Sequence, residues 1–202
     1  MLFEDTYYSI SNPCEGLYKD KGSKFIGYAF PVSSEEEIKT HLAALRREHH
    51  SARHHCFAYR LGADKLTYRV NDDGEPSSTA GKPILGLIQS KDLTDILIVV
   101  VRYFGGTLLG VSGLINAYKQ AAADTIAQSV IIEKIVKEKF EIKFDYLQMN
   151  QVMKIIKDEN LEIQLQNFEL SCSLIFAVRR NNADRVYELF KKINNLDIKN
   201  KF

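Results

Sequence analysis

The chain has 202 residues, of which 45% are apolar and 26% charged, and its formal net charge is +1. These globular proportions exclude intrinsic disorder, collagen-like repeats and coiled coil. The longest apolar run, residues 96–101, is far shorter than the roughly 20 residues of a membrane helix, and the N-terminus lacks the pattern of a signal peptide. The three cysteines are widely spaced, which favours a reducing compartment. We therefore expect a cytoplasmic protein without a membrane partner.

The N-terminal part combines strand and helix patterns. Ser34 and Glu37 form a capping-box signal in front of an apolar helical stripe. Residues 96–104 are continuously apolar and β-branched, which predicts a central strand buried on both faces. The predicted elements are strands over 24–32, 56–61, 66–70 and 96–104, and helices after Ser34, over 79–90 and over 110–128.

The C-terminal part predicts the order βαββαβ. Alternating apolar residues mark strands over 140–144, 161–165, 170–178 and 196–199, with helical patterns over 149–156 and after Asn181–Asn182. This order is typical of the ferredoxin-like fold, whose sheet leaves one face open. We therefore predict an α+β protein of two domains, residues 1–129 and 135–202, the second of them ferredoxin-like (βαββαβ).

The first segment with chemical potential is the polar loop 71–83, which is rich in turn residues and leads into a helix. Free N–H groups of the first helical turn, together with Lys82, could hold a phosphate or a carboxylate. The P-loop pattern is excluded, because six residues rather than four separate Gly74 from Gly81 and Pro83 follows the lysine. A capped turn with solvated carboxylates is the structural alternative.

The second segment is 102–113, where the buried strand ends in a cation and an aromatic residue. The chain then passes through Gly105 and Gly106 into a helix, a geometry that recurs at anion sites. The glycine spacing does not match the dinucleotide fingerprint. The glycines suit either tight backbone turns and close approach by a partner, or close packing of the helix on the sheet.

The third segment contains all five histidines, within residues 41–55. Histidines can bind zinc, but no Cys-x-x-Cys or His-Glu-x-x-His pattern accompanies them, so we predict no metal site. Cys56, between His55 and Phe57 on a strand, is better explained as a small buried hydrophobe than as a nucleophile. No complete catalytic constellation is present, so the sequence disfavours an enzyme without excluding one and predicts no cofactor.

Three segments in order closely resemble the IMPACT family, in its bacterial YigZ/YvyE-like branch. They are 53–59 (RHHCFAY), 72–83 (DDGEPSSTAGKP) and 99–110 (VVVRYFGGTLLG). The resemblance covers residues 1–125 directly. It implies an N-terminal domain with the fold of ribosomal protein S5 domain 2, and a small ferredoxin-like C-terminal domain.

The resemblance also carries expectations about function. Eukaryotic relatives act in translational control by binding a partner of the eIF2-alpha kinase through an additional N-terminal domain. Because this chain begins directly at the shared domain, we do not expect that partner role here. For bacterial members, the fold implies association with RNA or the ribosome.

We expect the residues of the three segments to converge on one binding face. That face comprises His54, His55, Asp73, Glu75, Lys82, Arg102, Tyr103, Gly105 and Gly106. The function predicted from it is a cytosolic, translation-related module that binds RNA or the ribosome. One alternative is a small-ligand or phosphate-ester enzyme on the same face, with His54 or His55 as acid or base. The other is a protein-protein interaction adaptor that uses the open face of the C-terminal sheet.

Overall fold

The structure, a computed structural model, describes residues 5–168 and 172–201. Contacts divide them into two compact units, one of residues 7–134 and one that joins Asp5 and Thr6 to the described residues from 135 onward. The N-terminal end of this division differs from the predicted domain of residues 1–129. Asp5 belongs with the C-terminal unit because its carbonyl accepts a hydrogen bond from Val136 N–H at 2.7 Å and its carboxylate pairs with Arg179.

The unit of residues 7–134 is built on a five-stranded sheet. The order along the sheet is β2-β3-β6-β4-β5, and every neighbouring pair is antiparallel, so the prediction of a central strand at β6 is confirmed. A separate two-stranded sheet pairs β1 with β7. The elements are β1 (Thr6–Ile10), β2 (Cys14–Asp20), β3 (Ser23–Pro31), α1 (Glu35–Glu48), β4 (His54–Leu61), β5 (Thr67–Asn71), α2 (Gly81–Ser90), β6 (Ile96–Tyr103), α3 (Gly110–Ala127) and β7 (Ile131–Ile135).

Helices cover both faces of this sheet. α1 packs on the face that carries Phe57 and Val101, whereas α2 and α3 pack on the face that carries Cys56 and Val100. Successive residues of a strand point to opposite faces. His54 and Arg102, which are direct partners in the β4–β6 ladder, therefore lie on the α2–α3 face, and their neighbours His55 and Tyr103 lie on the α1 face.

The predicted capping box at the start of α1 is present in a slightly shifted form. The Ser34 hydroxyl accepts a hydrogen bond from Glu37 N–H at 3.3 Å, while the Glu37 carboxylate reaches one residue further back and accepts from Ser33 N–H at 2.6 Å. The first bond satisfies one of the N–H groups that a helix start leaves without a partner, and the second ties the residue before the N-cap to the first turn. The start of α1, and with it the placement of its apolar face on the sheet, is thus a local consequence of the sequence.

The C-terminal unit has the predicted βαββαβ order. Its sheet runs β11-β8-β10-β9 with antiparallel neighbours, and both helices pack on one face of it. Leu170, where the third predicted strand of this unit begins, lies outside the described residues. The elements are β8 (Lys137–Phe144), α4 (Met149–Asp158), β9 (Glu162–Phe168), β10 (Cys172–Arg179), α5 (Ala183–Lys191) and β11 (Leu196–Lys201). None of the helices in the described part of the chain combines the length and apolarity of a bilayer span.

Candidate functional site

A cavity of about 430 Å³ opens on the α2–α3 face, where β4 begins and β6 ends; we call it the β4–β6 cavity. It brings together three of the predicted site residues, His54, Glu75 and Arg102. Most of the remaining lining is apolar and comes from the loop after β6 and the start of α3. The residues that line it are Arg53, His54, Glu75, Pro76, Arg102, Phe104, Leu108, Leu109, Gly110, Val111 and Leu114.

A buried ion pair forms one wall of the β4–β6 cavity. Arg102 Nη1 donates to Glu75 Oε1 at 2.6 Å, and both side chains are more than nine-tenths buried. The Tyr118 hydroxyl, on α3, donates to the same oxygen at 2.8 Å. The guanidinium also lies over the rings of Phe25 and Phe104, at 5.4 and 5.6 Å from their centroids, in cation–π geometry. Arg102 is therefore a fixed, neutralised part of the wall and not a free clamp for an anion.

The helix N-terminus that we expected to be open is already occupied by the protein. The Asp72 carboxylate accepts hydrogen bonds from the N–H groups of Ser78, Ala80 and Gly81 at 2.8–3.0 Å. Burial raises the pKa of Asp72, but these hydrogen bonds and nearby Lys82 outweigh it, so the pKa lies below its usual range. The N–H groups of Ser78, Ala80 and Gly81 are thus not available to a phosphate. Lys82 is exposed and lines neither this cavity nor the one described below.

Asp73 positions the start of β4. One carboxylate oxygen accepts from His55 N–H at 2.7 Å, the other accepts from Arg46 at 2.9 Å, and the Asp73 carbonyl lies 2.9 Å from His54 Nδ1. A carbonyl only accepts hydrogen bonds, so Nδ1 carries a proton, and the neutral ring keeps Nε2 as an acceptor. Asp73 thereby fixes the orientation of His54 at the cavity without lining the cavity itself.

His55 and Tyr103 belong to the opposite face of the sheet. His55 is buried; burial lowers its pKa, and the positive charge of Arg46 lowers it further. Tyr103 shares a hydrogen bond of 2.9 Å with His49 Nδ1, and Tyr28 shares one of 2.7 Å with His49 Nε2. Two of the histidines are thus core residues under α1. In the described part of the chain, no group of three or more metal-ligating side chains is placed to hold an ion.

A second cavity, of about 440 Å³, lies at the same end of the sheet. It shares Arg53, His54, Arg102 and Phe104 with the β4–β6 cavity, and Ser51 and Tyr103 complete its lining. Tyr103 therefore borders the predicted face at this end, although its hydroxyl is held by the network under α1. Arg53 and Phe104 are common to both cavities, and both are exposed.

The paired glycines Gly105 and Gly106 are explained by backbone packing and backbone conformation within the protein. A Cβ atom at Gly105 would lie 1.9 Å from the carbonyl carbon of Gly22, so this position accepts only glycine without a rearrangement of the β2–β3 turn. Gly105 N–H donates to Ser23 Oγ at 3.1 Å. Gly106 has φ +87°, a left-handed conformation that glycine adopts readily, and a Cβ there would meet no other atom. Close approach at Gly105 is thus an internal contact.

Three residues at the cavity carry no strong sequence signal: Leu108 and Val111 line it, and Tyr118 donates a hydrogen bond to Glu75 in its wall. Tyr118 falls on the apolar stripe of α3, a pattern that predicts a core residue, and the side chain is indeed fully buried. Leu108 and Val111 are apolar but exposed, 83% and 59%, directly after the glycines. The available signal is their position on either side of the start of α3, just after a glycine turn. The prediction that Cys56 is a small buried residue is confirmed: its thiol donates to Asp72 O, and burial raises its pKa.

Comparisons with known proteins agree with this architecture. Residues 21–126 match the Impact N-terminal domain, a range that contains every predicted site residue. The "IMPACT family member" of Haemophilus influenzae is 36% identical over 169 residues, 81% of each chain. "IMPACT family member YvyE" of Bacillus subtilis is 31% identical over 190 residues, 94% of this chain and 88% of that one.

A solved structure described as a crystal structure of an hypothetical protein shows the same fold. It has a TM-score of 0.75 and 27% identity, and the match covers 96% of both chains. With a family model that spans more than half of the chain, and relatives of this identity over most of it, the family is shown. The chain belongs to the IMPACT family, in its bacterial branch.

Proposed function

We propose that this protein is a translation-related module that binds single-stranded nucleic acid at the β4–β6 cavity. The observation that carries the proposal is the side chain of Phe104, 54% exposed, at the edge of a cavity that Arg53 and His54 also line. Single strands are held by aromatic rings on which bases stack and by cations that contact the backbone. Phe104 supplies the first and exposed Arg53 the second.

The acidic residues of the three family segments do not strongly repel a nucleic acid backbone, because each carboxylate has a partner within the protein. Glu75 is paired with Arg102, and Asp73 with Arg46. Asp72 is held by the N–H groups at the start of α2. Arg53 makes no ion pair with the described residues, so its charge remains available at the cavity rim.

We infer that the unit of residues 7–134 has the ribosomal protein S5 domain 2 fold and that the C-terminal unit is ferredoxin-like. The strand order of the C-terminal sheet, with the first and third strands of the unit at the centre, supports the second assignment. The family resemblance supports the first, and it supports the connection to translation.

Binding of a single-stranded RNA oligomer, measured against salt concentration, tests the proposal. We expect Phe104→Ala to weaken binding about tenfold, since stacking contributes roughly 1–3 kcal/mol per base. Arg53→Ala should reduce the slope of log affinity against log salt by about 0.7, the value for one phosphate contact of a single strand. Arg47→Ala, an exposed cation of α1 outside both cavities, is the matched control. Absence of saturable binding at low salt by the folded protein would refute the proposal.

A small-ligand enzyme is the second candidate, and the fixed orientation of His54 favours it. The Asp73 carbonyl holds Nδ1, as the partner of a catalytic imidazole does, and His54 lines both cavities. A panel of phosphate esters assayed with the native protein and with His54→Gln tests this candidate. Equal turnover by the two proteins would remove His54 from any acid or base role.

A further inference from the structure

The C-terminal unit carries a pocket of about 280 Å³ that is unrelated to the motif segments. Lysine and arginine side chains dominate its lining, and a single carboxylate joins them. The residues are Lys137, Glu138, Lys139, Arg180, Asn200 and Lys201; we call this the C-terminal pocket. All of them belong to one unit.

Strand pairing places like charges directly opposite one another at this pocket. Lys139 on β8 is the cross-strand partner of Lys201 on β11. The cross-strand pair on the other side of β8, Lys137 and Arg179, is already compensated, because Glu162 and Asp5 form ion pairs with these two side chains. Like charges opposite each other weaken an antiparallel ladder. Sheet stability alone therefore disfavours this arrangement, whereas an anion bound between the cations would compensate it.

The carboxylates nearby leave the positive charge incompletely balanced. Lys137 pairs with Glu162, Arg180 lies 3.3 Å from Glu138, and Lys201 lies 3.6 Å from Glu141. Lys139 has no ion-pair partner within the described ranges. The paired cations are about half exposed, and exposed ion pairs are weak because water and salt screen them. A multivalent anion can therefore compete for these side chains.

We propose that the C-terminal pocket binds phosphate groups of a polyphosphorylated ligand. Phosphate oxygens are strong acceptors of charge-assisted hydrogen bonds, and several lysines converging on one pocket recognise charge density rather than a particular shape. The ligand is either a free oligophosphate or the backbone of a nucleic acid. The C-terminal pocket shares no lining residue with the β4–β6 cavity, so this proposal is tested independently of the proposed function.

Calorimetric titration of the full chain with inorganic tripolyphosphate at low salt tests the proposal. We expect saturable binding to the native protein and at least about tenfold weaker binding to the double variant Lys139→Gln, Lys201→Gln. Lys143→Gln is the control, because it removes one lysine from β8 outside the pocket. Arg47→Ala, which removes an exposed cation of α1 outside all three cavities, should also bind normally. Equal affinity of the native protein and the double variant, or no saturable binding, would overturn the proposal.

Two further arms make the result unambiguous. Amide hydrogen exchange in β8 should show the double variant to be folded, and more protected than the native protein in the absence of anion, because a like-charge pair has been removed. Titration with a single-stranded RNA oligomer then distinguishes the sources. Weaker binding of both tripolyphosphate and RNA by the double variant assigns the pocket to a nucleic acid backbone, and weaker binding of tripolyphosphate with unchanged RNA affinity assigns it to a free oligophosphate.

Discussion

The Glu75 carboxylate and the Arg102 guanidinium form a 2.6 Å hydrogen-bonded ion pair that is almost entirely removed from solvent. Glu75 comes from the loop between β5 and α2, and Arg102 comes from the end of β6, so the pair ties this loop to the central strand. Tyr118 on α3 completes the contact. Three elements that meet at the β4–β6 cavity are thus held by one buried polar cluster.

Glu75→Gln should destabilise the unit of residues 7–134 by about 3–5 kcal/mol, because it leaves the Arg102 charge buried without a counterion. Amide hydrogen exchange in β6 measures this, since β6 lies at the centre of the sheet of that unit. Glu36→Gln, which breaks an exposed pair with Lys39, should leave exchange unchanged. An average substitution lowers the free energy of unfolding by about 1 kcal/mol. A smaller decrease for Glu75→Gln would show that the ion pair contributes no special stability.

Gly105→Ala should destabilise the same unit by about 1–3 kcal/mol, the range for overpacking. The new methyl group would meet the backbone of Gly22, which cannot rotate away as a side chain can. Gly86→Ala is the matched control: a Cβ there meets nothing, and alanine in a helix interior is about 0.5–1 kcal/mol better than glycine. Urea denaturation of the two variants should therefore shift in opposite directions, and a shift of Gly105→Ala toward higher urea would exclude the close contact.

The Asp72 carboxylate should make the stability of this unit sensitive to acid. Its pKa in the folded protein is lower than in the unfolded chain, where it is about 3.9, so its contribution is complete above that value. The contribution is lost as the pH falls through the lower, folded pKa. Urea midpoints between pH 6 and pH 3 should fall less steeply for Asp72→Asn than for the native protein. Asp20→Asn, at the end of β2, should retain the native slope; equal slopes for all three would contradict this role.

The cysteines should differ in reactivity in the native state. Burial raises the pKa of both Cys14 and Cys56, but Cys14 is half-buried, while Cys56 and Cys172 are buried. The thiolate is the reactive form, so a raised pKa slows modification. Iodoacetamide at pH 8 should therefore modify Cys14 slowly, but before the other cysteines, and should leave Cys56 unmodified. Mass spectrometry of peptides from the labelled native protein measures this, with urea-unfolded protein as the reference for full modification. Rapid labelling of Cys56 would revive the nucleophile interpretation.

The secondary structure followed largely from local patterns. The alternation in 140–144 and the β-branched run in 96–104 both became strands, because burial of one or both faces requires those patterns. β1, β2 and β7 were not predicted. β2 and β7 have no fully buried residue, so their apolar alternation is weak, and long-range pairing stabilises them. Strand formation of that kind depends on partners that local sequence does not contain.

By itself, the sequence determined the family, the order of elements in the C-terminal unit and the three segments from which the cavity is built. The tertiary structure decided which of their residues act together. Side chains alternate across a sheet, so His54 and Arg102 face the cavity, whereas His55 and Tyr103, one position along each strand, enter the core under α1. Ion pairing decided which charged side chains remain available to a ligand. From sequence alone, Arg102 can bind either a ligand or a neighbouring carboxylate, and the folded structure shows that it is paired with Glu75.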